Sequence, residues 1–258
     1  MSQTKKDVQE QFGKSAESYV ESKVHKDGKD LQMLIEMATL TGNEKLLDIA
    51  TGGGHTANTF ASRVKSIIAL DLTKEMLLAA EKFITGNGHQ NVQFVEGDAE
   101  NIPYANETFD VVTCRIAPHH FPNILDFISE VNRVLKENGQ FLLDDNVVPE
   151  AKEYDIFYNT IEKIRDYSHF RAWKKSEWLQ MLEANGFEVE EWHRFEKVFS
   201  FEPWCDRMNV SDIEKKKLTK IIINASDDVK RKFAIKIEDN QVVSFKGEAI
   251  VLKAVKKY

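Results

Sequence analysis

The chain has 258 residues, with 35 Lys and Arg against 42 Asp and Glu, for a formal net charge of -7. That length supports a single α/β domain without disulfides, and the acidic balance argues against a broad nucleic-acid-binding surface. Cys114 and Cys205 stand far apart without CxxC spacing, the N-terminal MSQTKKDVQEQFGK lacks an apolar signal core, and no apolar run is long enough to cross a membrane; a metal-free, cytoplasmic protein is expected.

In chain order, Phe12, Ala16, Tyr19 and Val20 recur at helical steps within residues 5–25 and predict an amphipathic helix able to act as a lid. Leu31, Leu34, Ile35 and Ala38 continue that period up to the turn cluster Thr41-Gly42-Asn43, and a strand follows over Lys45–Ile49. Gly52-Gly53-Gly54 leads into a helix of about three turns ending near Arg63, then a strand Ser66–Leu70 and a helix opened by Thr73, with Met76, Leu77, Ala80, Phe83 and Ile84 on one face. Strands are predicted at Val92–Glu96, Phe109–Cys114 and Gln140–Asp144, the last preceded by a helix bearing Ile124, Phe127, Ile128, Val131 and Leu135 and stopped by Asn138-Gly139. Alternation at this cadence implies a doubly wound, mostly parallel sheet with helices on both faces and ligands at the carboxyl ends of its strands. Beyond Asn146 come helices near Tyr154–Arg165 and Ser176–Asn185, a strand region Phe187–Val198, a charged helix around Val210–Asn224 and a closing strand Gly247–Val255.

The stretch LLDIATGGGHT carries the strongest functional signal. Three glycines between a strand and a helix mark a place where backbone takes positive φ or approaches a ligand. Gly52, Gly54 and Ala57 satisfy G-x-G-x-x-A, the dinucleotide fingerprint, so an NAD-type oxidoreductase is one reading. Asp48 argues for another, because a carboxylate near the turn disfavours a diphosphate and suits a cation such as the sulfonium and ammonium of S-adenosylmethionine. Asp71, about 20 residues further on at the next strand end, is placed to hold a ribose.

The segment Asp48-Ile-Ala50-Thr-Gly52-Gly-Gly54 resembles the D-x-G-x-G-x-G motif of class I S-adenosylmethionine-dependent methyltransferases, with Ala50 where the motif has its first glycine. Ile67–Asp71 with Leu72 and Met76 is similar to the family's second motif, whose acid holds the ribose hydroxyls and whose apolar neighbours pack on adenine. Gly97-Asp98-Ala99 resembles the third, whose Asp bonds the adenine amino group, and FDVVTCR and VLKENGQFLL resemble the fourth and fifth strands. FGKSAESYV and CRIAPHHF are similar to the ubiquinone/menaquinone biosynthesis C-methyltransferase-like branch. The resemblance implies a Rossmann-like seven-stranded sheet with an antiparallel C-terminal strand, formed by one domain over 1–258: a lid over 1–30, a cofactor core over 45–145 and acceptor-side structure over 146–258. It also implies methyl transfer to a small-molecule acceptor, aromatic or isoprenoid-like, or else a non-catalytic cofactor-binding module.

His119 and His120 follow the fourth strand and are the candidate general bases. Arg115 on the same loop is expected to contact the cofactor through its backbone, and Tyr19 to close over the methionine part. His169, Arg171, Trp173 and the aromatics Trp192, Phe195, Phe199, Phe201 and Trp204 either line an acceptor pocket or form ordinary core.

Overall fold

Adjacent apolar residues build strands buried on both faces. In β1 (Lys45–Ile49), Leu46 packs into one helical layer while Leu47 and Ile49 pack into the other, and all three are fully buried. β2 (Ser66–Asp71), β3 (Val92–Glu96), β4 (Phe109–Arg115) and β5 (Leu135–Val148) join it in a parallel array ordered β3-β2-β1-β4-β5. The computed structural model describes residues 2–13 and 28–257, so Tyr19 and half of the expected lid over 1–30 lie outside the described residues.

Past β5 the sheet turns antiparallel. β9 (Gln241–Lys256) runs against β5 on one side and β7 (Phe187–Ser200) on the other, completing a path of seven strands. Two short strands, β6 (Trp173–Lys174) beside β5 and β8 (Lys236–Glu238) beside β9, bring the sheet to nine. The fold is the expected Rossmann-like, mostly parallel sheet with flanking helices.

One face is covered by α2 (Lys29–Met37), α3 (His55–Ala61) and α4 (Lys74–Gly86), whose Leu34, Phe60 and Ile84 pack on Leu46, Ile67 and Val111. The other is covered by α5 (Ile124–Val134) and α7 (Lys175–Ala184), whose Phe127, Val131 and Trp178 pack on Leu47, Val112 and Phe141. A third core joins α6 (Lys152–Arg165), α8 (Phe201–Asp206), α9 (Asp212–Ile223) and α10 (Asp227–Lys232) to the start of β9. The described N-terminal segment is α1 (Gln3–Gly13), a surface helix.

Several element boundaries differ from expectation. The helix after the glycines is two turns rather than three, ending at Ala61, where the Ser62 N–H closes back on the Phe60 carbonyl. Asn138-Gly139 does not stop the preceding helix: α5 ends at Val134 and Leu135 already pairs with Phe109. Residues 136–139 then loop out, with Asn138 at φ 60, before Gln140 pairs with Val111. The closing strand starts at Gln241 rather than Gly247. The late aromatics divide, with Phe201 and Trp204 in the third core, Phe199 and Phe195 packed against separate cores and Trp192 exposed. Among the described residues, no helix is long and apolar enough to cross a membrane.

Candidate cofactor and acceptor site

β1 has β2 on one side and β4 on the other, so the connections leaving these strands diverge and open a crevice above their carboxyl ends. An open cavity occupies that crevice, about 1030 Å³ when the solvent space at its mouth is counted. The chain enters it through a left-handed turn, Ala50 at φ 52, Gly52 at φ 54 and Gly54 at φ 82, which leads into α3.

Gly52 lines the cavity, and a Cβ there would approach only the Ala50 carbonyl, at 3.9 Å, so the space beside it is ligand space. Gly54 has a different task. A Cβ there would press on Ile84 at 2.9 Å and Ala80 at 3.0 Å, so its lack of a side chain lets α3 start against α4, and it does not line the cavity. Ala50 takes the left-handed conformation despite its Cβ and also lines the cavity.

Asp48 lies behind the cavity wall rather than on it. The Thr51 hydroxyl donates to one carboxylate oxygen at 2.6 Å and the Thr113 hydroxyl to the other at 2.7 Å. Burial pushes its pKa up to about 6, against the pull of those hydroxyls. Its contacts tie β1 to β4 and hold Thr51, which does line the cavity. Asp48, expected among the cofactor-binding residues, therefore does not line the cavity and reaches its wall only through Thr51.

Asp71 is the acid that faces the ligand space. It closes β2, lines the cavity and accepts the Gly52 N–H at 2.8 Å and the Thr73 N–H at 2.9 Å. Burial raises its pKa against those two donors. Each oxygen keeps a second lone pair, so the fixed carboxylate can still receive two hydroxyls. Leu72 and Met76 give the cavity an apolar side, and Asp98 with Ala99 forms its edge at the end of β3.

Helix α1, the described part of the expected lid, sits across that edge. Lys5 of α1 bonds Asp98 at 2.6 Å and also pairs with Glu100, while Gln9 donates to the Leu72 carbonyl at 2.8 Å. Val8 and Phe12 face the cavity, and Phe12 meets His120 edge to face, with centroids 5.1 Å apart. Lys5, Val8 and Gln9 belong to no motif and only the helical period of the segment marks them, whereas Phe12 also opens the FGKSAESYV segment.

On the acceptor side, β4 ends at Arg115, whose Nε donates to Asp30 at 2.7 Å and lies 3.5 Å from Asp144. Burial drives the Asp144 pKa up to about 8, with Lys197 and Arg115 opposing and Asp30 reinforcing. Ile116, at φ 52, and Ala117 line the cavity next to Arg115. For a β-branched residue that conformation is strained, and such strain gathers at ligand sites. His120 lines the cavity, whereas His119 lies behind it with its ring 4.3 Å from that of His120. His169 is buried and bonded to Asn159, and Arg171 stacks over Trp173; neither these nor the late aromatics line the cavity. Among the described residues, no group of three or more His, Cys, Asp or Glu side chains is placed to hold a metal.

The glycine loop also weighs against a dinucleotide. The Gly52 N–H is given to Asp71 and the Gly54 N–H to the Thr51 carbonyl at 2.9 Å, so two donors that a diphosphate would use are spent, one of them on a carboxylate. Residues 47–143 match a family model described as a methyltransferase domain, a span from β1 into β5. The whole chain is similar to the uncharacterized methyltransferase YcgJ of Bacillus subtilis, 36% identical over 247 residues that cover 95% of this chain and 98% of that protein. The chain belongs to the class I S-adenosylmethionine-dependent methyltransferases. Solved relatives of this methyltransferase share the fold. The crystal structure of YcgJ matches with a TM-score of 0.85 at 34% identity, covering 89% of this chain and 98% of that one. A candidate methyltransferase from Bacillus halodurans matches at 0.88 and 55% identity, covering 90% and 100%. The ubiquinone/menaquinone biosynthesis C-methyltransferase of Rickettsia prowazekii is 32% identical over 146 residues, 53% of this chain and 58% of that protein.

The methyltransferase's cavity suits the cofactor of its family on chemical grounds. It offers backbone instead of side chains at Gly52, a clamped acceptor at Asp71 and apolar surface at Leu72 and Met76.

Proposed function

We propose that this methyltransferase moves the methyl group of S-adenosylmethionine to a small-molecule acceptor by in-line displacement. The observation that carries this reading is the Asp71 carboxylate, clamped by two backbone N–H groups beside the side-chain-free wall at Gly52. Asp71 holds the ribose hydroxyls, Leu72 and Met76 pack on the adenine, Asp98 and Ala99 meet its edge, and the turn through Ala50 and Gly52 admits the methionine part. The backbone around Arg115 completes that end. When bound, the sulfonium supplies an activated methyl carbon and an excellent leaving group, so the protein's work is to orient the acceptor and exclude water.

The acceptor side is walled by Phe12, Ile116, Ala117 and Phe121, which supports an apolar acceptor, aromatic or isoprenoid-like. Similarity to the Rickettsia enzyme supports the ubiquinone/menaquinone C-methyltransferase-like branch. A cytoplasmic protein acting on neither nucleic acid nor membrane accords with the acidic composition. In this arrangement α1 covers the site and residues 50–122 line it, while no residue of 146–258, expected on the acceptor side, lines the cavity.

A thermal-shift titration tests the reading. At a hundredfold excess over Kd, S-adenosylhomocysteine adds about 2.7 kcal/mol, roughly 5–10 °C in Tm for a chain of this size, while NAD adds nothing. A shift with NAD and none with S-adenosylhomocysteine overturns it.

A further inference from the structure

The sheet ends in a strand edge that the cofactor site does not use. β7 pairs with β9 on one side, and among the described residues no backbone hydrogen bond reaches its other side. Such an edge offers a row of N–H and C=O groups to a further strand unless it is short, covered or interrupted. β7 runs from Phe187 to Ser200, and its register shift, between Val189 and Glu191, lies near its start. From Glu191 to Phe199 the strand is regular and carries two large exposed apolar side chains, Trp192 at 45% and Val198 at 67% exposure. Trp192, Arg194, Glu196 and Val198 alternate with the other residues and so share one face.

A second strand of the same sequence fits this edge, and pairing geometry selects how. In an antiparallel pair, directly opposite residues exchange both hydrogen bonds or neither, so outward-facing residues meet outward-facing ones. These alternate along the strand, so two copies of a regular strand pair symmetrically only with a residue on the two-fold axis. Centring on Arg194, Glu196 or Lys197 stacks like charges at the axis. Centring nearer either end drives the pairing into the bulge at Glu190 or into α8. Centring on Phe195 instead sets Arg194 opposite Glu196 and Trp192 opposite Val198, each pair occurring twice, with Phe195 against its own copy. Opposite charges and apolar pairs directly across a sheet stabilise it, and like charges destabilise it. Within one chain Arg194 lies 3.3 Å from Glu248 and Glu196 accepts Lys246 at 2.8 Å, which holds both side chains on that face. On the other face Lys197 Nζ lies 5.4 Å from the centroid of the Phe195 ring, and His193, 2.7 Å from Glu191, stands opposite Lys197 of the second copy.

We propose that β7 joins two copies of this chain about a two-fold axis at Phe195, antiparallel from Glu191 to Phe199, so that one sheet runs through both. The interface is isologous, and the partner it fits is a second copy because the charge order Arg194, Glu196 is complementary to itself when reversed. No residue of β7 lines the cavity, so the pairing stands apart from the methyl-transfer reading.

Sedimentation and disulfide trapping of the full chain test this. At micromolar concentration the wild type should sediment at twice the mass of one chain. Glu196→Lys sets like charges opposite one another at both pairs and should raise the dissociation constant about tenfold or more, while adding Arg194→Glu restores opposite charges and should bring it back to within about threefold of the wild type. For trapping, a variant carrying both Trp192→Cys and Val198→Cys should form a covalent dimer on mild oxidation, and either substitution alone should not. Two copies of position 192, or of 198, stand about 20 Å apart along the paired strands, as do 192 and 198 within one chain. The native Cys114 and Cys205 are buried and take no part. A wild type that stays a single chain up to its solubility limit overturns the proposal. So does a dimer that ignores Glu196→Lys, is not restored by the double charge swap, or is trapped by one cysteine alone rather than by the pair. If Glu196→Lys fails to fold, trapping decides between the outcomes.

Discussion

Ala50 is an alanine in a glycine's conformation, and replacing it gives a quantitative test of the loop geometry. Its φ of 52 lies in the left-handed region, where a Cβ costs roughly 1–2 kcal/mol. Ala50→Gly removes that strain but frees the unfolded chain, a penalty of about 0.4–1 kcal/mol. The difference is a net stabilisation of about 0.5–1 kcal/mol, or a Tm rise of roughly 1–4 °C. Ala50→Val serves as the opposite control, because a β-branched residue tolerates this conformation poorly. Differential scanning fluorimetry on the wild type and both variants should rank Gly above Ala above Val. A destabilised Ala50→Gly variant would mean that residue 50 does not turn left-handed in solution, and with it the account of how the loop reaches Gly52 would fail.

Asp48 predicts a pH dependence. Its folded pKa of about 6 exceeds the ordinary 3.8, so the native state binds more protons than the unfolded chain between those values. Stability from this group is present in full below about pH 4 and is lost as pH rises through about 6, by an amount on the order of 3 kcal/mol. Asp48→Asn should flatten the stability profile across that window in denaturant titrations, and parallel profiles for the two proteins would contradict the assignment. Helix α1 makes a separate prediction. Replacing Val8 and Phe12 by Ala removes apolar cavity wall and should weaken S-adenosylhomocysteine binding about tenfold by calorimetry. Unchanged affinity would show that α1 does not cover the bound cofactor.

The strands that frame the site were legible because each carries a continuous or alternating apolar run ending in a turn signal. Asp71 and Asp98 stood out for the same reason, as acids just past such runs. The direction in which Asp48 faces was not legible. A carboxylate within a strand end can point toward a ligand or toward a neighbouring strand, and what decides is Thr113 on β4, 65 residues away. The same holds for the two histidines, which are adjacent in sequence and share a turn, yet one meets Asp145 of β5 and the other the loop at Ser168. Lys5 gave no signal because its partners, Asp98 and Glu100, are brought to it only when α1 docks. The looped-out residues 136–139 were misread because Asn-Gly ends helices and interrupts strands equally well.

The most direct test of the central claim is a crystal structure with S-adenosylhomocysteine bound. The account predicts the ribose hydroxyls on Asp71, the adenine between Met76 and Ala99, and the homocysteine chain along Gly52, with Asp48 out of contact behind Thr51. A ligand bound elsewhere, or one that touches Asp48 while leaving Asp71 untouched, would contradict it.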